Sequence, residues 1–203
     1  MKRAAVGFRV HSGWAAMVAL TLNNGTPTIL VRERVHLIET FTYPFRQPYH
    51  TAEKMPLKKA AAFIERVRDE AQQVALGIVR KLATDLRAQD CKLTACGVLL
   101  SSGRIVANLA QILASHASIH TADGQLFREA ILHAAKRCRL VRFSIRERNI
   151  LGAASKDLRI ESDDLARRVA ELGRPLGPPW SQDEKLATIV ALLAANSARF
   201  NPI

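Results

Sequence analysis

The period of the apolar positions changes along the chain, and that change predicts the order of elements. Ala5 to Val10 is a short apolar run closed by the turn residues His11-Ser12-Gly13, and Trp14 to Leu22 is a second run. Asn23-Asn24-Gly25 supplies the positive-φ residues that a tight hairpin needs. From Thr28 to Glu39, apolar Leu30, Val31, Val35, Leu37 and Ile38 are interleaved with charges, the pattern of a half-exposed outer strand. An antiparallel meander therefore opens the chain. Residues 40–56 carry Pro44, Pro48 and Pro56 and are predicted to be loop, because proline removes a backbone donor and fixes φ.

The period then becomes helical. Ile64, Val67, Ala71, Val74, Ile78 and Leu82 form one stripe and predict a long helix over 57–88, weakened at Gly77. Leu93 to Leu100 has the length of a strand, and residues 105–115 return to helical spacing. Residues 116–124 read as a polar junction. A helix follows over 125–137, burying Leu126, Phe127, Ala130, Ile131 and Ala134, and then a short strand over 139–145. Two further helices, about 163–172 and 182–197, open on Ser162 and Ser181 as caps and are joined by the proline-rich connector 173–179. The order β-β-β-α-β-α-α-β-α-α predicts an α/β protein with a mixed sheet covered by helices. One domain over 1–203 is expected, with a helical C-terminal portion from about residue 155 packing on it.

Composition narrows the class. At 48% hydrophobic and 24% charged residues the chain is ordinary globular sequence, and at 5% aromatics its core must rest on aliphatic residues. No apolar run is long enough to span a bilayer. The N-terminus begins like a signal peptide, but Arg9 and His11 interrupt it, so a cytoplasmic protein is expected. Cys91, Cys96 and Cys138 have no metal-ligand spacing and read as reduced thiols. The formal net charge of +12 points to polyanionic partners, nucleic acid first and phosphate-bearing small ligands second. That excess is shared by both halves of the chain, so a merely solvated Arg-rich surface competes with the binding reading.

Several stretches carry the likeness to a known family. Val6-Gly7-Phe8-Arg9 occupies a first strand followed by a hairpin, and Gly124-Gln125 through Ala130-Ile131 opens a later helix. Leu140 to Phe143 forms a last strand, and Asp183-Glu184-Lys185-Leu186-Ala187 opens the closing helix. In pattern this resembles the ribonuclease H-like superfamily, nearest to bacterial Holliday-junction resolvases. The resemblance implies a mixed five-stranded sheet, an antiparallel three-strand meander plus two further strands, flanked by helices. It also implies nucleic acid as a partner and a carboxylate cluster for two divalent ions. Here the sequence departs. Arg9 stands where the first-strand aspartate belongs, the fourth strand ends in Leu99-Leu100-Ser101 without an acid, and only Asp183 or Glu184 remains. A fixed cation repels a metal, so a two-metal nuclease is not expected.

The candidate ligand-binding residues follow. Arg9, His11 and Ser12 lie on the first hairpin with Trp14 beside them, and would offer cationic, phosphate-seeking groups. Ser101, Ser102 and Arg104 join a strand to a helix, either as an anion pocket or as a capped turn. His116, His120 and Asp123 have spacing for one divalent metal, with Asp123 as third ligand or simply as a helix cap. Glu129 and His133 are placed to pair on the helix surface. Ser181 and Glu184 form a capping box beside Asp183 and Lys185. Lys136, Arg137, Arg139, Arg142, Arg146 and Arg148 form the densest cationic run, suited to phosphate backbone or to a solvated face. The leading expectation is a catalytically degenerate ribonuclease H-like protein that binds nucleic acid or another phosphate-bearing ligand. The alternatives are a hydrolase or phosphotransfer enzyme with a single metal at His116, His120 and Asp123 or Asp183, and a protein-interaction module.

Overall fold

A computed structural model of the chain describes residues 1–101, 103 and 106–200. The meander forms as the pattern predicts: β1 (Lys2–His11), β2 (Trp14–Asn23) and β3 (Thr26–His36) pair antiparallel. Asn24 and Gly25 turn the second hairpin with φ of 50° and 87°, the left-handed pair that matches strand twist. Pro27 sits at the start of β3, an edge strand where a missing donor costs nothing.

The supposed loop over 40–56 contains two short helices, α1 (Tyr43–Arg46) and α2 (Pro48–Ala52). Pro44 and Pro48 open these helices, in the first turn where no N–H partner is required, and Pro56 immediately precedes the next helix. The long helix is α3 (Leu57–Ala88), followed by β4 (Cys91–Leu100) and the brief α4 (Leu109–Leu113). Residues 116–124 are not a junction. They form the first turns of α5 (His116–Arg137), capped by Ser115, whose hydroxyl accepts from Ser118 N–H. β5 (Val141–Arg146) is followed by a 3₁₀ turn at Glu147–Asn149. The remaining helices are α6 (Ile150–Leu158), α7 (Ser162–Gly173) and α8 (Gln182–Phe200). α6 was not legible in the sequence. Ser162 does not cap α7: Glu161 holds the cap position, and the Ser162 hydroxyl lies 2.9 Å from that of Ser155.

The sheet order is β3-β2-β1-β4-β5, with β1–β4 and β4–β5 parallel. One face, through Val6, Phe8, Val10, Cys96 and Val98, packs under α3 and α5. The other face lies against α8. There the helix approaches so closely that a Cβ on Gly7 would sit 2.0 Å from the Ala187 carbonyl oxygen. One on Gly97 would sit 2.5 Å from that of Val190. Bare backbone at β1 and β4 lets α8 seat on the sheet, and Arg9 and His11 continue the same face just beyond its first turn. No helix among the described residues is long and apolar enough to cross a membrane.

Candidate functional site

Strand alternation directs Arg9 and His11 toward α8, at the carboxyl end of β1. In open α/β sheets ligands bind beyond that edge. Asp183 comes from the first turn of α8, and Glu147 from the turn after β5. Arg9 Nη2 lies 2.9 Å from Glu147 Oε2, and its Nε lies 3.9 Å from Asp183 Oδ1. His11 Nε2 lies 3.0 Å from Asp183 Oδ2. Among the described residues neither the buried Arg9 Nε nor the buried His11 Nε2 makes an aligned hydrogen bond, and Asp183 is the acid that faces both. The His11 ring stacks on Trp14 at 4.2 Å, and the Arg34 guanidinium lies 3.8 Å above the same indole.

Arg128 reaches this edge from α5. It is only 7% exposed, donates from Nε to the Leu99 carbonyl at 3.1 Å, and has no acceptor for Nη1 among the described residues. Burial lowers its pKa to about 10, repulsion from Arg9 adds to this, and Glu147 opposes it. Gly124, one turn earlier, gives it room: a Cβ there would stand 2.7 Å from Nη1. Two guanidinium groups, an imidazole and two carboxylates therefore meet where β1, β4 and β5 end.

The remaining candidates fall around or away from this centre. Ser12 occupies the β1–β2 turn and Ser101 the end of β4, both half-buried. Ser102 and Arg104 lie outside the described residues. Lys185 is half-buried beside Asp183. Ser181 and Glu184 do form the capping box, with Ser181 N–H donating to Glu184 Oε2 at 2.8 Å. Glu129 is exposed and accepts from Gln125 Nε2 at 3.0 Å, rather than pairing with His133. The cationic run is divided by β5. Arg146 and Arg148 stand at the carboxyl end near Glu147, and Lys136, Arg137 and Arg139 at the opposite end, about 20 Å away along the strand. Arg142 is exposed between them.

Asp123 is neither a helix cap nor a third ligand to His116 and His120. It is 1% exposed inside α5, and both its oxygens are engaged. Oδ1 accepts from Tyr49 N–H at 2.7 Å, and Oδ2 from His50 Nδ1 at 2.5 Å. Burial raises its pKa, while the hydrogen bonds from His50 and Tyr49 pull it back. His50, from α2, thus joins His116 and His120. Glu147, Arg128 and His50 were missed in the sequence because each reaches its partner across tens of residues, which no local period records.

No protein-family model matches the sequence, and no curated protein does. Solved structures do. Thermus thermophilus RuvC superposes with a TM-score of 0.53 over 97% of this chain and 96% of that one, at 14% identity. T. thermophilus RuvC in complex with Holliday junction substrate gives 0.52 over 98% and 96%, at 15% identity. The fold is ribonuclease H-like. Within that ribonuclease H-like frame, the ion-paired centre lies on the first strand, at the start of the closing helix and just after the fifth strand.

Proposed function

We propose that this chain is a single ribonuclease H-like domain that binds nucleic acid through phosphate contacts, without two-metal cleavage. The observation that carries the reading is Arg9, paired to Glu147 and set against Asp183. A pair of divalent ions needs carboxylates whose charge is free to offset its own. At this centre the fixed charge of Arg9 already faces both acids and the buried Arg128 guanidinium adds a second cation to the edge, so the residue set does not fit such a pair. What remains is cationic: Arg128 presents a buried Nη1 without an acceptor among the described residues, and a phosphate oxygen is the group such a donor takes best. Arg146 and Arg148 lie exposed on either side of Glu147, and the net charge of +12 favours approach of a polyanion. The similarly folded RuvC is recorded with a Holliday junction substrate, which makes branched DNA the first ligand to try.

The test is fluorescence anisotropy with a labelled four-way junction, a duplex and a single strand at low salt, followed by incubation with Mg²⁺. Salt-sensitive binding and intact strands are expected. Arg128→Met should weaken binding about tenfold, the value of one charge-assisted contact. Absence of salt-sensitive binding to all three probes overturns the proposal. So does Mg²⁺-dependent scission that survives in Arg128→Met.

A further inference from the structure

The chain has six histidines, and the fold brings three of them to one point. His116 and His120 are four apart on α5 and share a helix face, with their Nε2 atoms 3.0 Å apart. His50 enters from α2, its ring centroid 4.3 Å from that of His120 and 5.4 Å from that of His116. One ligand atom from each lies within 4.8 Å of the others.

Three imidazoles without a carboxylate between them gain little from meeting. They share one N–H at most, and any two in the protonated form repel. A metal ion resolves that arrangement, because each neutral imidazole then spends a lone pair on one cation. Zinc–nitrogen bonds of about 2.0–2.1 Å in a tetrahedron put ligand atoms about 3.3 Å apart, close to the His116–His120 separation. His116 and His120 are exposed and His50 half-buried, so small side-chain rotations complete the triangle.

The decisive feature is the orientation of His50. Asp123 accepts from its Nδ1, which turns Nε2 outward as the ligating atom. A buried carboxylate behind a ligating histidine is the arrangement that fixes tautomer and ring direction in metal sites. Asp123 is held in turn by Tyr49 N–H. We propose that His50, His116 and His120, oriented by Asp123, form a binding site for Zn²⁺ or a similar borderline divalent ion. Three nitrogen donors without oxygen ligands select against Mg²⁺ and Ca²⁺. A fourth position faces solvent on the side of His116 and His120, open to water or an anionic oxygen. The site is independent of the Arg9 centre: the helical rise alone sets His120 about 12 Å along α5 from Arg128.

The test uses tag-free protein, stripped with chelator and dialysed, then titrated with Zn²⁺ by calorimetry and with Co²⁺ by visible absorption. One equivalent of Zn²⁺ at micromolar affinity or better is expected, with the intense d–d bands of four-coordinate Co²⁺ and no response to Mg²⁺. His116→Ala and His120→Ala change exposed residues, so each should keep the wild-type Tm in chelator while losing at least about 100-fold in Zn²⁺ affinity. Asp123→Asn should lose about 10–100-fold. His133→Ala, on the same helix outside the cluster, should bind as wild type. The proposal is overturned if stripped wild-type protein shows no saturable Zn²⁺ binding. Binding that persists in the His116→Ala/His120→Ala double variant overturns it equally.

Discussion

At the scale of single residues, one arginine on the first strand sets the charge balance of the carboxyl edge of the sheet. Arg9 supplies a permanent positive charge to two acids that would otherwise repel each other across a short gap. Its side chain is 18% exposed, so those pairs are screened less than surface ones. The prediction is reciprocal. Arg9→Asp leaves Glu147 and Asp183 facing a third carboxylate, and the metal-free variant should lose about 2–3 kcal/mol in urea unfolding. Millimolar Mg²⁺ should return much of that loss, because a divalent ion then has the oxygen donors it requires. Wild-type protein should show no such gain. If Mg²⁺ leaves the midpoint of Arg9→Asp unchanged, the two acids are not arranged as a latent cation site.

At the scale of elements, legibility followed from how local the determinants are. The β1–β2–β3 meander, α3 and β4 were readable because alternation, the Asn24-Gly25 turn and a long apolar stripe are short-range signals. The start of α5 was misread because, of its three buried positions up to Gly124, only Ile119 is a large apolar residue. Asp123 is buried there against His50, and Gly124 is buried to admit Arg128, so the stripe vanishes where the polar interior begins. The same turns hold two of the three histidines of the candidate metal cluster, and His50, from α2, could not be joined to them beforehand. The sequence marks Gly77 as a weak point of its helix but does not show what packs on Gly7 and Gly97, and the structure separates them. Gly7→Ala and Gly97→Ala drive a Cβ into the backbone of α8 and should each cost about 3 kcal/mol. Gly77 lies inside α3 with nothing within 4 Å, so Gly77→Ala should gain about 0.5–1 kcal/mol by helix propensity. Urea denaturation of the three variants checks both signs. Equal effects would mean that α8 shifts freely on the sheet.

At the scale of the whole molecule, the question is whether the charge of +12 is a general field or a placed one. Both attract DNA, but they differ in what a lost cation does. Each phosphate neutralised contributes about −0.9 to the slope of log K against log salt on duplex DNA. A cation that only adds to the field shifts affinity weakly and leaves that slope nearly unchanged. β5 separates the dense cationic run into two ends, and this offers a matched comparison. Arg146→Ala with Arg148→Ala removes two charges beside Glu147 and the Arg9 centre; Lys136→Ala with Arg137→Ala removes two at the far end. All four residues are exposed, so neither pair should disturb the fold. The net charge of the two double variants is identical. If nucleic acid lies across the carboxyl edge of the sheet, the first pair should flatten the salt slope by about 2 and the second by well under 1. Anisotropy titrations across about a fourfold range of salt resolve that difference. Equal slopes in the two double variants would assign the charge to the surface at large and remove the Arg9 edge as the phosphate-binding face.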